Sequence, residues 1–204
     1  MKLTATTFVS VDGVGQGPGG PEEDRSNGFE RGGWLVPHFD EDTGRFMDEV
    51  FRRVDAFLLG RRTYEIFAGS WPKSTDPDDP IADALNTLPK HVVSTTLKDP
   101  EWANSTVVEG DIADAVRALK GQPGRELQVH GSLTLVRWLL ENDLLDELNL
   151  LVFPVVVGAG MRLFPDQGGA HALRLKEART TGSGTTIQVY ETAGRPEYGT
   201  AEIS

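Results

Sequence analysis

Residues 2–11 alternate, with Leu3, Ala5, Thr7 and Val9 set against Lys2, Thr4, Thr6 and Phe8. That period of two predicts a strand. It stops at Asp12-Gly13. From there to Gly33 the chain carries Gly15, Gly17, Gly19, Gly20, Gly28 and Gly32 with Pro18 and Pro21, and neither helical nor strand spacing survives. A loop this long in a compact domain is either a lid or a floppy insertion, and the pattern alone favours neither. Helical spacing returns at Phe46, Met47, Val50, Phe51 and Val54, one face of a helix that Asp40 caps and that runs to about Val54. Ala56-Phe57-Leu58-Leu59 is a continuous apolar run closed by Gly60, which suits a strand covered on both faces. A short helix over Thr63 to Ala68 follows. After it come a loop from Pro72 to Pro80 with the acidic run Asp76-Pro77-Asp78-Asp79, and a weaker helix around Ala82–Leu88.

The second half repeats the alternation. His91–Thr95 and Thr106–Val108 are short β-branched strands. Asp111 caps a helix whose Ile112, Ala115, Val116 and Leu119 share a face and which Gly121 stops. Leu127–His130 is a strand leading to Gly131, and Ser132 caps the next helix, with Leu133, Val136, Leu139 and Leu140 on its buried face. Leu148 to Val157 reads as a strongly apolar strand. Ala172–Ala178 and Thr185–Tyr190 flank Thr180-Thr181-Gly182-Ser183-Gly184 as a hairpin. Strands alternating with helices imply crossover units, hence an α/β fold with a mostly parallel central sheet flanked by helices and an antiparallel hairpin at the C-terminal end. No repeat or composition break divides the 204 residues, so one domain is expected over residues 1–192, with a tail over 193–204.

Composition narrows the chemistry. The balance of 20 Lys and Arg against 31 Asp and Glu leaves a formal charge of −11. Such a chain has no long-range attraction for nucleic acid or an anionic membrane, and no basic stripe offsets this locally. No Cys is present, which removes disulfides and thiolate metal sites, and His38, His91, His130 and His171 are never spaced as a ligand pair, so no metal is expected. The N-terminus lacks the apolar core of a signal peptide, and the densest apolar stretch, Leu144 to Val157, is broken by Asp146, Glu147, Asn149 and Pro154. A soluble, cytoplasmic protein is the expectation. No Ser stands in a nucleophile elbow.

Three strand ends carry small, basic or hydroxyl residues where an open parallel sheet keeps its ligand crevice. Gly60-Arg61-Arg62-Thr63-Tyr64-Glu65 combines a turn, a helix start and two forked cations, a pattern suited to phosphate; a solvated Arg pair beside an ordinary cap is equally consistent with it. Ser94 and Thr95 follow another strand and suit a ribose or a phosphate, or simply end the strand. Gly131, Ser132, Leu133 and Thr134 open a helix whose free N–H groups can face an anion. Neither common nucleotide fingerprint, G-x-G-x-x-G or G-x-x-x-x-G-K-[ST], is present.

These residues, with Ser10-Val11-Asp12-Gly13, Leu144-Leu145-Asp146-Glu147-Leu148 and Phe153-Pro154-Val155-Val156-Val157-Gly158-Ala159-Gly160, resemble the dihydrofolate reductase superfamily. The branch they are most similar to is the reductase domain of the bifunctional riboflavin-biosynthesis deaminase-reductase. The resemblance implies an NADPH-dependent reductase of a small heterocycle, of the pterin or ribosylamino-pyrimidine type, and a homodimer. A non-catalytic NADP-binding or dimerising domain on the same scaffold is the alternative. By resemblance Arg61 holds the 2′-phosphate, Arg62 and Thr63 lie near it or near the pyrophosphate with Gly60, and Ser94 and Thr95 flank the adenosine ribose. Gly131, Ser132, Leu133 and Thr134 form the pyrophosphate turn, in which His130 takes the first place of a Gly-Gly pair. Gly13, Trp34, Gly158 and Gly160 border the substrate, Asp12 and Asp40 are the candidate proton sources, and loop 13–33 is the cover. For Asp40 a helix cap and for Trp34 a core position are the competing readings.

Overall fold

The computed structural model describes residues 1–74, 76 and 78–201. Thr75 and Pro77, in the loop expected at 72–80, and residues 202–204 of the expected tail lie outside the described residues. In chain order the elements are β1 (Lys2–Ser10), α1 (Glu41–Phe51), β2 (Val54–Gly60), α2 (Arg61–Ser70), α3 (Pro80–Thr87), β3 (Lys90–Val93) and β4 (Ser105–Val107). Then come α4 (Ile112–Lys120), β5 (Glu126–His130), α5 (Leu133–Glu141), β6 (Glu147–Phe153), β7 (Leu173–Thr180) and β8 (Thr186–Thr192).

The strands form one sheet in the order β4-β3-β2-β5-β1-β6-β8-β7. β1 to β6 pair in parallel, whereas β8 runs antiparallel to both β6 and β7. The expected α/β architecture, a mostly parallel sheet closed by a hairpin, is what the chain adopts. Each face of the sheet has its own core. Phe46, Met47 and Val50 of α1 and Tyr64 of α2 pack over Phe57, Leu59 and Phe153. Val116 and Leu119 of α4, with Leu135, Val136 and Leu139 of α5, cover Leu3, Leu58, Leu127 and Val129 on the other side. The continuous apolar run of β2 follows from this, since Phe57, Leu58 and Leu59 are each fully enclosed, one face after the other.

β2 and β5 are neighbours, yet the helices that follow them leave to opposite faces, α2 with the first core and α5 with the second. A crevice opens where two such connections diverge, at the carboxyl ends of the strands. Small departures from the sequence pattern have local causes. α1 ends at Phe51 because Val54 already belongs to β2. β6 ends at Phe153, before Pro154, which has no N–H to continue a ladder. α2 begins at Arg61 with Gly60 as its N-cap residue, two residues earlier than expected, so Thr63 lies inside the first turn and does not cap it.

The glycine-rich loop is packed. Phe29 and Trp34 are buried beneath it and Val14 is fully enclosed, bridged to Arg162. Gly33 donates its N–H to the Gly17 carbonyl at 2.8 Å. The Gln16 side chain donates to Ser26 O at 3.0 Å and accepts from the Met161 N–H at 2.9 Å, tying the loop to the segment after β6.

Candidate functional site

A cavity of about 750 Å3 lies over the carboxyl ends of β1, β5, β2 and β3, contributed by Phe8, His130, Gly60 and Val93. This is within the usual size of a small-molecule site. Its roof is the loop, with Gly15, Gln16, Gly17 and Gly19 and the carboxylates of Glu23 and Asp24. One lobe sits on the α2 face against Leu35, Ile66, Phe67 and Trp71. The other sits on the α5 face against Ile112, Leu135, Trp138 and Met161. The two meet between the first turns of α2 and α5, where Arg61, Arg62, Thr63, Gly131, Ser132 and Thr134 line the wall.

Both helix starts lack a side-chain cap. The first N–H groups of a helix have no partner within it, so two sets of donors stand at one cleft. Ser132 has a different task from the expected cap. Its Oγ accepts the Gly60 N–H at 3.0 Å and donates to Thr63 Oγ1 at 2.7 Å, stitching the α5 turn to the α2 turn. Gly131 and Ser132 stand at φ +67° and +51°. His130 is instead the last residue of β5, so the residue pair that a left-handed turn requires is Gly131-Ser132, one position later than the resemblance suggested.

Arg61 is bonded to Glu65 at 2.6 Å and to the Thr96 hydroxyl, and it remains exposed at the mouth. Arg62 reaches across to the roof, donating to Ser26 Oγ at 2.7 Å and Asp24 Oδ2 at 3.3 Å. Ser94 and Thr95 do not line the cavity. Ser94 Oγ accepts the N–H groups of Leu97 at 2.9 Å and Thr96 at 3.2 Å, closing its own turn, and Thr96 is the hydroxyl that meets Arg61. All six cofactor-side residues at 60–63 and 131–132, with Leu133 and Thr134, do border one cavity.

The expected substrate-side residues do not. Asp12 is a clasp between β1 and the segment after β6: its carboxylate accepts from the Ser10 hydroxyl at 2.6 Å and from the N–H groups of Val157 at 2.9 Å and Gly158 at 2.8 Å. Burial alone would raise its pKa, but these donors outweigh it and bring it down to about 2. Asp40 caps α1 through Thr43 N–H at 2.9 Å and holds Ser183 N–H at 2.8 Å. Desolvation again pulls upward, and the donors from Thr43 and Ser183 leave it well below the usual carboxylate range. Neither carboxylate lines the cavity, and neither holds a proton near neutral pH, so the proton-source expectation is corrected for both. Trp34 is 8 % exposed, packs edge-on against Phe153 and donates its indole N–H to Gln16 O at 2.9 Å, so it is a core residue. Gly13 and Gly158 turn at φ +79° behind the clasp, and a Cβ on Gly160 would come within 2.7 Å of Phe29. These glycines serve packing and lie outside the cavity wall.

Two cavity residues escaped the pattern. Glu23 accepts the Gly20 N–H at 3.1 Å and that of Gly19. Desolvation raises its pKa despite those donors, and the charge of Asp24 adds to the rise. His130 packs its ring among Phe8, Phe51 and Phe67, with centroids 5.4, 5.7 and 5.8 Å away, and its Nδ1 has no partner among the described residues. Burial lowers its pKa to about 4, so the ring is neutral at pH 7. Only its spacing of two from Gln128, which puts both on the α1 face of β5, signalled an inward side chain.

A doubly wound sheet with an anion-ready cleft at its switch point defines the class, an α/β protein of the dihydrofolate reductase-like fold. Within that class the chain belongs to the RibD C-terminal domain family, whose pattern matches residues 1–187. It is 27 % identical to the uncharacterized protein YyaP of Bacillus subtilis over 188 residues, covering 91 % of this chain and 92 % of YyaP. Among solved structures, a Shewanella sp. PV-4 protein named provisionally for riboflavin biosynthesis superposes with a TM-score of 0.71 at 21 % identity, over 95 % of this chain and 99 % of that one. A pyrimidine reductase-like protein of Corynebacterium diphtheriae gives 0.60 at 14 % identity, covering 94 % and 92 %. Family membership supports a reductase-like role of the riboflavin-pathway type.

Proposed function

We propose that the chain is an NADPH-dependent reductase that delivers a hydride to a small heterocycle, of the pterin or ribosylamino-pyrimidine type. The observation that carries this reading is the meeting of two uncapped helix starts and two arginines in one cleft, with an aromatic lobe beside it. The donor set fits the cofactor. The turn at Ser132–Thr134 offers N–H groups to a pyrophosphate, the Gly131 N–H being held by the Thr6 carbonyl at 3.1 Å, and Arg61 with Thr96 offers a forked cation and a hydroxyl to a 2′-phosphate. Val93, Ile112 and Trp138 give an adenine ring an apolar slot. A Cβ on Gly15 would lie 2.8 Å from Leu133 and 3.0 Å from the Phe8 carbonyl, so glycine is what lets the roof come down over the turn.

NADPH supplies the hydride. The chain's own residues place the ring to be reduced, exclude water under the roof and hold a proton. With that hydride received at the carbon of a C=N bond, the Glu23 carboxyl would give its proton to the nitrogen. Glu23 then regains a proton from solvent. Its raised pKa and its position in the wall support that role. The deciding measurement is a titration with NADPH and NADH, followed by a screen of pterins and pyrimidines for nicotinamide oxidation. Tight, NADPH-selective binding with turnover is expected; absence of NADPH binding overturns the reading. In the same assay Glu23→Gln is expected to lower turnover about 100-fold, the lower end of what acid catalysis usually contributes. It should leave the NADPH Kd unchanged and remove the pH limb that protonation of Glu23 sets.

A further inference from the structure

We infer that Arg62 is a positioning residue: from the first turn of α2 it fastens the roof through Asp24 and Ser26, and so fixes Glu23 over the cleft. The inference rests on the proton-donor role given to Glu23 and names what holds that acid in place. Residues 19–28 carry Glu23 and Asp24, both on the cavity wall. Among the described residues, the only hydrogen bonds that reach this stretch from beyond the loop come from Arg62. Both acceptors are preset for it. Asp24 Oδ1 takes the Ser26 N–H at 3.0 Å, which leaves Oδ2 for the guanidinium. Ser26 Oγ also accepts from the buried Gln16 side chain at 3.1 Å, so its place is set before Arg62 arrives.

The pair is unequal. The Asp24 side chain is only 13 % exposed, the Arg62 side chain 53 %. Desolvation would raise the Asp24 pKa, but Ser26, Arg62 and Gln16 together hold it below the ordinary carboxylate value, so the group is ionised. Removing one partner of an enclosed pair strands the other. Without Arg62 the Asp24 carboxylate would turn toward water, and the chain beside it would follow. Glu23 would go with it, because its carboxylate bonds only the N–H groups of Gly19 and Gly20, within the same stretch. The link from Asp24 to Arg62 therefore sets the acid against the helix start. Only Nη1 of the guanidinium is engaged this way among the described residues, so Nε and Nη2 stay available to an anion in the cleft.

The test reads the roof on the free protein, by hydrogen exchange at Gly19, Gly20, Glu23 and Ser26, whose amides are bonded within the stretch. Arg62→Ala should speed their exchange about tenfold, the loss of one charge-assisted contact, and leave the sheet amides unchanged. Arg62→Lys, which keeps a cation for Asp24, should restore most of the protection. Asp24→Asn should match Arg62→Ala, and the double variant should exchange no faster than either single one. Wild-type exchange in Arg62→Ala, or additive losses in the double variant, overturns the inference. With substrate, Asp24→Asn should lower kcat, leave the NADPH Kd unchanged and cost nothing further in a Glu23→Gln background, since it acts through that acid. A full further loss in that background would give Asp24 a substrate contact of its own and overturn the positioning role. Exchange needs neither cofactor nor substrate, so a roof loosened by Arg62→Ala in a protein that ignores NADPH would sink the reductase reading alone. Turnover of NADPH with an unmoved roof would remove this inference alone.

Discussion

The turn after β2 and the turn after β5 face the same cleft and are built in opposite ways. The first has ordinary backbone angles and works through side chains, the guanidinium groups of Arg61 and Arg62. The second carries no charge and works through backbone, with Gly131 and Ser132 both at positive φ so that the start of α5 turns toward the cavity. Ser132 joins the two. Side-chain sites select among ligands by charge and reach, whereas backbone sites depend on a conformation that few residues tolerate. Damage to the second turn should therefore abolish binding, and damage to the first should change selectivity.

The largest expected effect follows. A β-branched residue at φ +67° is a genuine outlier, so Gly131→Val should weaken both NADPH and NADH on the order of 100-fold or more, equivalent to about 2.7 kcal/mol. Calorimetric titration measures this, with a melt confirming that the variant folds. Loss confined to NADPH would erase the proposed division between the turns. Arg61→Ala should come next. Losing a charge-assisted contact worth about 1.5–3 kcal/mol should weaken NADPH roughly 10- to 100-fold and leave NADH almost unmoved. Equal losses for both cofactors would assign Arg61 to something other than the 2′-phosphate.

What could be read ahead of the fold differed between these regions for a physical reason. Periodicity is local, so the helix faces of α1 and α4, the covered strand β2 and the closing hairpin were all legible, as were the caps at Asp40 and Asp111. The turns at Gly60–Thr63 and Gly131–Thr134 were legible too, because parallel strands deliver their carboxyl ends to one edge. The role of a carboxylate is not local. Asp12 loses its availability to N–H groups 145 and 146 residues away, and Asp40 to Ser183. Glu23, in a segment without any period, reaches the cavity wall half-buried only because Gln16, Phe29 and Trp34 pack the loop into a roof. The one-residue shift at the second turn was invisible for a similar reason: His130 finds its place among Phe8, Phe51 and Phe67, which come from three other elements.

The link between the turns predicts a smaller effect. Ser132→Ala removes the acceptor for the Gly60 N–H and the donor to Thr63, which should reduce stability by about 1 kcal/mol and NADPH affinity a few-fold. Ser132→Gly loses the same bonds but relieves the left-handed backbone, so it should melt higher than the Ala variant. If Ala and Gly melt together, the positive φ of Ser132 stores no strain and the second turn is less demanding than argued.

The remaining effect concerns acid rather than ligand. His130 closes β5 just before the uncharged turn, and its folded pKa of about 4 lies below the ~6.5 of a free imidazole. Between those values the unfolded chain binds the proton and the folded chain does not, so stability falls as pH drops through that window. Asp12, whose pKa is lowered to about 2, acts below it, its contribution being lost only as pH falls from ~4 toward 2. Melting temperatures of wild type and His130→Phe, taken from pH 7 to 4.5, separate the two. The wild type should lose stability across this range, and the Phe variant, with an aromatic ring in the same nest, should lose distinctly less. Parallel curves would mean that His130 takes up its proton as readily in the folded chain as in the unfolded one. The second turn would then carry a charge in mild acid, and the contrast between a charged turn and a neutral one would hold only at higher pH.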